Sequence, residues 1–373
     1  MLRLSAALTA FLCLCLGTAR ADEVNPPTLA IGASAPDFTL KGVDDKDYSL
    51  KDFAGSKTLV IVFTCNHCPT ANAYEGRLKK IVDDYKDKSV AVVAISPNDE
   101  NSVRLDELGY TDLGDSFDEM KIRAKHIKLN YPYLFEGDKN GLARKYGPTA
   151  TPHVFVFDAN RKLRYVGRID DSERESNVKV HDLRDALDDL VAGRDVKSPK
   201  TNAFGCSIKW AGKAEQVKQF MAKLAKETVA VTPVDAEGLK ALRKNDTKKL
   251  RLVNFWATWC GPCVTEFPDL VTINRMYRNR AFEMVTVAAN FPDEDIEVLT
   301  FLKKQQSSGK NLIFGDKEKY KLMEAFDPKW NASLPYTLLL APGGEVLYKV
   351  QGPIDALELK RAIVKALTED RFK

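Results

Sequence analysis

Short runs of consecutive apolar residues alternate along this chain with longer segments in which apolar residues recur every three or four positions. Residues 57–63 and 90–95 are two such runs, and Leu78, Ile81 and Tyr85 between them share one helix face. Short β-branched runs of this kind are typical of strands that are covered on both faces of a largely parallel sheet. The pattern therefore predicts strands that alternate with helices, as in an α/β fold.

The same order of elements is repeated in the second half of the chain. An apolar run at residues 250–256 leads into a helical pattern and then into a further run at residues 282–289. Each half closes with two strands joined by a turn and with an amphipathic helix: residues 153–157, 163–167 and 183–190 in the first half, and residues 336–340, 345–350 and 357–367 in the second. Because a terminal hairpin adds antiparallel strands, we expect two tandem α/β domains, each a mixed β-sheet flanked by helices.

The first residues have the organisation of a secretory signal peptide. Arg3 precedes an apolar run at residues 4–16, and residues 19–21 form an A-x-A cleavage site ahead of an acidic pair. The apolar run is too short for a spanning helix, which needs roughly 20 residues. We therefore expect an exported protein that is soluble after cleavage, in the bacterial periplasm or another extracytoplasmic space, where disulfides persist.

Length and charge limit the expected number of domains and the expected classes of partner. The 373 residues are enough for two typical domains. The net charge of +4 comes from 56 basic and 52 acidic residues that are evenly mixed, which argues against nucleic acid as a partner. We predict a signal peptide at residues 1–21, a first domain at 22–195, a linker and extension at 196–232 and a second domain at 233–373.

Five of the seven cysteines lie outside the predicted leader. Four of them form two C-x-x-C pairs, Cys65 with Cys68 and Cys260 with Cys263, and each pair follows a predicted buried strand. Cys206 has no partner in such a motif. This number is too small for a scaffold that is held together by disulfides, so the pairs are candidate reactive centres.

Both halves resemble the thioredoxin superfamily. Residues 259–263 (W-C-G-P-C) match the thioredoxin active-site motif, and Glu266, three residues after Cys263, resembles the acid of TlpA/ResA-like extracytoplasmic thiol reductases. Residues 31–38 (I-G-A-S-A-P-D-F) resemble the opening of redoxins of the alkyl hydroperoxide reductase/thiol-specific antioxidant (AhpC/TSA) type, and residues 203–210 resemble the tail of a bacterial redoxin subgroup. The resemblance covers nearly the whole chain after the leader and implies thiol–disulfide exchange by two thioredoxin-like domains.

The spacing of each pair suits disulfide exchange. A thiolate is required, and the N-terminus of a helix favours one because it presents unpaired N–H groups and a partial positive charge. We therefore expect Cys65 and Cys260 to attack, and Cys68 and Cys263, one helical turn later, to resolve the mixed disulfide. The predicted redox-active disulfides are Cys65–Cys68 and Cys260–Cys263, and no other cofactor is expected.

The residues between the cysteines set an expected direction of electron flow. His67, just before Cys68, resembles the oxidising members of the superfamily, DsbA and protein disulfide isomerase. An imidazolium near the Cys65 thiolate would stabilise the reduced state and make the first pair the stronger oxidant. Electrons would then pass from the second pair to the first, directly or through a partner.

The resemblance also implies a substrate-binding edge in each domain. Pro152 and Pro335 should be cis, so that the backbone of Thr151 and of Leu334 faces the cysteines and can pair with a substrate segment. Trp259 is expected to contact the substrate beside the second pair. Glu266 is expected to handle protons during exchange, and Pro268 to kink the helix that carries it.

Three alternative functions remain for the first half. His67 and His153 beside Cys65 and Cys68 would make a Cys₂His₂ set that is suited to zinc or copper. A thiol peroxidase is a second alternative, although peroxiredoxins carry a Thr three residues before their reactive cysteine and Val62 stands there relative to Cys65. In the third alternative, the first domain is a docking scaffold for the second.

The expected partners follow from the proposed chemistry. Protein thiols and disulfides would be the substrates. A membrane-bound electron donor would be needed, because an exported protein has no access to cytoplasmic NADPH.

Overall fold

The computed structural model describes residues 25–137 and 140–368. The predicted signal peptide at residues 1–21 lies outside the described residues. Two separate β-sheets are formed, one in each half of the chain. The described helices include none that is both long and apolar enough to cross a membrane.

The first sheet has seven strands in the order β2-β1-β5-β4-β3-β6-β7. The strands are β1 (Thr39–Gly42), β2 (Asp47–Ser49), β3 (Thr58–Phe63), β4 (Val90–Ser96), β5 (Tyr133–Phe135), β6 (His153–Phe157) and β7 (Leu163–Gly167). Strands β3, β4 and β5 are parallel, and the remaining pairings are antiparallel. The helices of this half are α1 (Pro69–Tyr85), α2 (Phe117–His126), α3 (Gly141–Tyr146) and α4 (Asp182–Val191).

The second sheet has six strands in the order β13-β12-β9-β10-β11-β8. The strands are β8 (Thr232–Val234), β9 (Leu250–Trp256), β10 (Phe282–Ala288), β11 (Lys310–Phe314), β12 (Tyr336–Leu340) and β13 (Val346–Gln351). Strands β8 to β11 are parallel, whereas β12 and β13 are antiparallel. The helices are α6 (Ala236–Lys244), α7 (Gly261–Tyr277), α8 (Asp295–Lys304), α9 (Lys319–Phe326) and α10 (Ala356–Thr368), and α5 (Ala214–Leu224) precedes this half.

The side chains of the central strand β3 point alternately to the two faces of the first sheet and pack into a core on each face. Leu59, Ile61 and Phe63 pack on one side, and Val60 and Val62 pack on the other. All six residues of β3 are buried, as its unbroken apolar sequence predicts. Both predictions, the mixed α/β fold and its two sheets, are therefore confirmed.

The segment that the sequence indicates as a linker and extension is largely part of the first domain. Ile208 and Trp210 are buried in the core on the Phe63 face of the first sheet. Lys200 forms a β-bridge with Val166, and Cys206 forms one with Thr151. The sequence offers little sign of this packing, because residues 197–202, which precede the packed segment, are polar and contain proline.

A loop of the first domain contacts the second domain. Leu108 packs against the core around α7, and the Tyr277 hydroxyl donates a buried hydrogen bond of 2.8 Å to the Thr111 carbonyl. Arg280 donates to the Gly109 carbonyl at 2.7 Å, and Arg361 contacts Asp112 at 3.1 Å. These contacts attach the C-terminal end of α7 and the middle of α10 to residues 105–112.

Candidate active sites

The second C-x-x-C pair lies where β9 ends and α7 begins. Cys260 is the N-cap of α7, and its sulfur accepts from the Cys263 N–H at 3.4 Å. Cys260 and Cys263 form a disulfide, and both are buried in the domain core cluster. The helix begins at Gly261-Pro262 because proline suits the first turn of a helix, where its missing N–H costs nothing. This geometry is what the sequence predicts for an attacking Cys260.

Glu266 is buried one helical turn beyond Cys263. Its carboxylate accepts from the Ile354 N–H at 2.8 Å and from the Asn254 side chain at 3.1 Å. Burial raises the pKa of Glu266, and these two hydrogen bonds only partly offset the effect. Residues three apart on a helix are neighbours, so a carboxyl with a raised pKa lies one turn from Cys263 of the disulfide.

The edge of the second domain that is predicted to bind substrate has the expected cis proline. The Leu334–Pro335 peptide bond is cis, directly ahead of β12, as predicted. Trp259, next to Cys260, is 63% exposed, which is unusual for an aromatic residue beside a buried disulfide. An exposed aromatic side chain adjacent to a reactive sulfur is suited to contact a protein substrate.

The first pair is arranged differently, although its spacing is the same. Helix α1 begins at Pro69, so Cys68 rather than Cys65 is the N-cap, and the Cys68 sulfur accepts from the Ala71 N–H at 3.4 Å. The expectation that Cys65 occupies the helix N-terminus is therefore wrong. The position of the proline explains the difference, because Pro69 follows the second cysteine whereas Pro262 precedes it.

Hydrogen bonding favours Cys68 as the thiolate of the first pair. Burial opposes ionisation, but the Cys206 and Cys65 thiols and the N–H groups of Ala71 and Cys206 hold the pKa of Cys68 well below its usual range. Burial and the neighbouring Cys68 raise the pKa of Cys65. When Cys68 is protonated, its thiol donates to the Thr151 carbonyl oxygen at 3.1 Å. These three cysteines are free thiols in the structure.

His67 is part of a buried network of polar groups that is centred on Asp115. Its Nδ1 lies 2.5 Å from the Asp115 carboxylate, which also accepts from the N–H groups of Asn66 and His67 and from the Asn98 side chain. Burial lowers the pKa of His67, but the Asp115 charge outweighs burial and raises it. His67 therefore gains a proton more readily than burial alone would allow, and the charge that it would carry is balanced mainly by Asp115.

The predicted four-residue metal set does not come together. His153 accepts the Thr149 N–H at 3.1 Å through Nδ1, and its ring packs on Phe155. Among the described residues, the one group with metal-ligand spacing is Cys65, His67 and Asp115. His67 Nδ1 pairs directly with the Asp115 carboxylate, so we interpret this group as a hydrogen-bonded charge pair, in which the buried His67 Nε2 has no hydrogen-bond partner among the described residues.

The predicted substrate edge of the first domain is occupied by the chain itself. The Thr151–Pro152 bond is cis, as predicted, and the Thr151 hydroxyl lies 3.2 Å from the Cys65 sulfur. The Thr151 N–H, however, donates to the Cys206 carbonyl at 2.9 Å. Cys206 thereby becomes a neighbour of the first pair, a role that its isolated position in the sequence did not indicate.

The two centres lie at different ends of α7. Cys260 caps the N-terminus of this 17-residue helix, which is about 25 Å long. Tyr277 at the other end contacts Thr111, whose hydroxyl donates to the Asn66 carbonyl between the first two cysteines at 3.2 Å. Disulfide exchange requires the sulfurs to bond. Direct transfer between the pairs, one of the two predicted routes, is therefore not available in this arrangement.

Several polar residues around the first centre were missed by sequence reasoning. Asn98, Thr111 and Asp115 follow β4 in a long irregular segment, and Lys209 lies in the tail that returns to the first sheet. They carry no motif, so only their position after a buried strand, where functional loops are common, could have suggested them.

Comparison with known proteins assigns each half to a family. Residues 31–166 match the AhpC/TSA family and residues 230–363 match the Redoxin family. The thiol-disulfide oxidoreductase ResA of Bacillus subtilis (strain 168) is 31% identical over 114 residues, which are 30% of this chain and 59% of that protein. ResA of Oceanobacillus iheyensis is 27% identical over 151 residues, 38% of this chain and 65% of that protein. The chain thus spans roughly three fifths of the length of these two curated relatives.

A solved structure is similar to about half of the chain. The crystal structure of an uncharacterized conserved protein from Geobacillus kaustophilus is 33% identical, with a TM-score of 0.45. The match covers 50% of this chain and 95% of that one.

Proposed function

Because the chain belongs to the thioredoxin superfamily, with an AhpC/TSA-type domain followed by a redoxin-type domain, we propose that it is an extracytoplasmic thiol–disulfide oxidoreductase. The observation that carries the proposal is the second centre. Its Cys260–Cys263 disulfide begins α7 beside the exposed Trp259 and the buried Glu266. The similarity to proteins named thiol-disulfide oxidoreductase supports the same chemistry.

In the proposed reaction Cys260 is the attacking residue of the second centre. In the reduced pair, the Cys260 thiolate would be stabilised by the Cys263 N–H and by the N-terminus of α7. It attacks a substrate disulfide to form a mixed disulfide, which Cys263 then breaks, so that the substrate leaves reduced and Cys260–Cys263 is formed. Glu266 accepts or returns the proton of the buried thiol, a role that its raised pKa supports.

The first centre is proposed as a second exchange site with Cys68 as its thiolate. An imidazolium at His67 and the N–H groups on Cys68 would stabilise the reduced form, so this pair should be the more oxidising one. Because α7 separates the centres, electrons from the second pair would reach the first through a partner protein. A membrane-bound donor would reduce the second pair.

Measurement of the two redox potentials tests the proposal. One variant carries Cys65→Ser with Cys68→Ser, and its counterpart carries Cys260→Ser with Cys263→Ser, so that one pair remains in each. Both are equilibrated in glutathione buffers, and the oxidised fraction is read by thiol labelling and intact mass. We expect the second pair to titrate near the thioredoxin value of about −270 mV and the first to be tens of millivolts higher.

The same variants decide whether exchange with proteins occurs. Reduction of insulin disulfides by the protein that retains Cys260 and Cys263 is the expected result. A second pair that forms no reversible disulfide, or insulin reduction that is unchanged when both residues are serine, would overturn the proposal.

A peroxide-reducing activity is the second candidate, which the match of residues 31–166 to the AhpC/TSA family favours. The burial of Cys65 and Cys68 argues against ready access of an oxidant to either sulfur. Consumption of hydrogen peroxide that depends on Cys68 and proceeds to many turnovers would favour the peroxidase.

A further inference from the structure

A segment of the chain occupies the first domain at the place where a protein substrate would bind. Cys206 forms an antiparallel β-bridge with Thr151, and the Thr151 N–H donates to the Cys206 carbonyl at 2.9 Å. Thr151 is the residue that precedes the cis proline Pro152. Extended peptides commonly bind by adding such backbone hydrogen bonds to an exposed edge. The segment around Cys206 is therefore placed like an internal substrate.

Gly205 shows that this placement depends on a close backbone approach. Its φ of +140° is a conformation that residues with side chains rarely adopt. A Cβ atom at this position would lie 1.9 Å from the Thr151 carbonyl oxygen. Only glycine allows the chain to lie this close to Thr151 just before Cys206.

The Cys206 thiol is a direct neighbour of the Cys68 sulfur. The Cys206 N–H donates to Cys68 Sγ at 3.4 Å, and the Cys206 side chain packs against the cluster that contains Cys65 and Cys68. Cys65 and Cys68 are only 3% and 0% exposed, whereas Cys206 is partly exposed and Gly205 and Ser207 beside it are exposed. Cys206 is therefore the sulfur of this group that solvent and partners reach first.

The second domain has no equivalent covering segment among the described residues. Its corresponding residue, Leu334, precedes the cis proline Pro335 but takes part in none of the isolated β-bridges of the described chain. The same fold thus offers a free edge in one domain and an occupied edge in the other.

From this arrangement we propose that Cys206 is a third redox-active residue, which exchanges disulfides with Cys68 and connects the buried first pair to external thiols. The inference rests on the proposed thiol–disulfide exchange function. In the oxidised protein the Cys206 thiolate attacks Cys68, the Cys68–Cys206 bond forms, the Cys65–Cys68 bond breaks, and Cys65 takes up the proton that Cys206 released. The two disulfide forms are isomers, so the step needs no additional oxidant.

External exchange then takes place at Cys206. A substrate thiolate attacks the partly exposed Cys206 sulfur, and Cys68 leaves as a thiolate that accepts from the N–H groups of Ala71 and Cys206. A thiol that is stabilised as a thiolate is a good leaving group. A second substrate thiol releases the oxidised substrate from Cys206, so that the substrate loses two electrons and the cysteines of the first domain gain them.

The test uses full-length protein in which Cys260→Ser and Cys263→Ser leave the first domain as the sole centre. In this background, Cys65→Ser is equilibrated in glutathione buffers and its disulfides are mapped by peptide mass spectrometry. We expect a reversible Cys68–Cys206 disulfide. The matched control Cys68→Ser should form no intramolecular disulfide, because Cys68 is the sulfur that the other two share.

A second variant in the same background, Cys206→Ser, tests the access role. It should retain the Cys65–Cys68 disulfide but oxidise a reduced protein substrate at least tenfold more slowly than the parent. Cys68 and Cys206 that stay free in the Cys65→Ser protein, or an unchanged rate in the Cys206→Ser protein, would overturn the inference. The proposed function survives either result if Cys260–Cys263 titrates reversibly in the protein that carries Cys65→Ser with Cys68→Ser; if that pair does not titrate there, the proposed function itself has failed.

Discussion

Substitution of Gly205 by alanine should release the Cys206 segment from the first centre. The added Cβ would lie 1.9 Å from the Thr151 carbonyl oxygen, less than any real carbon–oxygen contact, so one of the two backbones must move. Moving Gly205 away also removes the hydrogen bond between the Thr151 N–H and the Cys206 carbonyl.

Two terms set the magnitude of this effect. A non-glycine residue in this region of φ costs on the order of 1–3 kcal/mol. Loss of the hydrogen bond adds about 0.5–1.5 kcal/mol. The sum of about 1.5–4.5 kcal/mol is below the typical stability of a domain, roughly 5–15 kcal/mol. We therefore expect the domain to stay folded while residues around 203–207 detach locally.

Two readouts separate local detachment from general destabilisation. Urea denaturation gives the change in the free energy of unfolding, and alkylation followed by peptide mass spectrometry gives the rate at which Cys206 is labelled. Gly32→Ala is the control, because Gly32 also has a positive φ, +86°, but a Cβ there would meet nothing within 4 Å. The control should lose some stability without faster labelling of Cys206. If Gly205→Ala labels Cys206 no faster than Gly32→Ala does, the close approach to Thr151 does not hold the segment.

Three further predictions concern single titratable residues. Glu266→Gln should slow reduction of a substrate by the second pair at least tenfold and should remove the Glu266 step from the pH–rate profile, since a neutral amide cannot transfer the proton of the buried thiol; stopped-flow fluorescence measures both. Burial lowers the pKa of His153 to about 4, so the folded state favours the neutral ring. The free energy of unfolding should therefore be highest above the pKa of about 6.5 in the unfolded chain, and should fall by up to roughly 3 kcal/mol as pH decreases towards 4. His153→Asn should flatten this part of the pH profile of urea denaturation, because asparagine does not titrate there but can still accept the Thr149 N–H. Asp115→Asn should lower the free energy of unfolding by about 1–3 kcal/mol, because the new NH₂ group meets buried donors where the carboxylate accepted them; an unchanged denaturation midpoint would contradict this network.

The buried strands could be predicted from the sequence because burial on both faces leaves little freedom of composition. Strands β6, β7, β9 and β12 begin and end at the predicted residues, and β3, β4, β10 and β13 differ by one residue at one or both ends. The short strands β1, β2, β5 and β8 were not predicted: β1, β2 and β8 are partly exposed and lack a continuous apolar run, and the largely buried run of β5 is only three residues long. Their places at or towards the sheet edges are set by tertiary contacts rather than by local pattern.

The candidate sites likewise include features that the sequence predicts and one that it does not. The two C-x-x-C pairs, both cis prolines and the buried Glu266 follow from short motifs. The role of Cys68 was also within reach of the sequence, since Pro69 marks where α1 must begin and so which cysteine caps it. The approach of Cys206 could not be predicted, because the chain returns to Cys68 after 138 residues and to the edge beside Thr151 after 55.

The position of residues 105–112 gives α7 two structural roles. Its N-terminus is capped by Cys260, whose sulfur accepts the Cys263 N–H, and its C-terminal Tyr277 holds Thr111, whose hydroxyl in turn fixes the Asn66 carbonyl beside Cys65. The helix is rigid and about 25 Å long, so these contacts position the two centres and also keep them apart. Two pairs of different potential can then coexist in one chain without equilibrating through each other, which is a requirement if they are to serve different partners. Two separated pairs can serve different partners only if each pair exchanges disulfides with external thiols. In the first domain, the partly exposed Cys206 provides the route for this exchange.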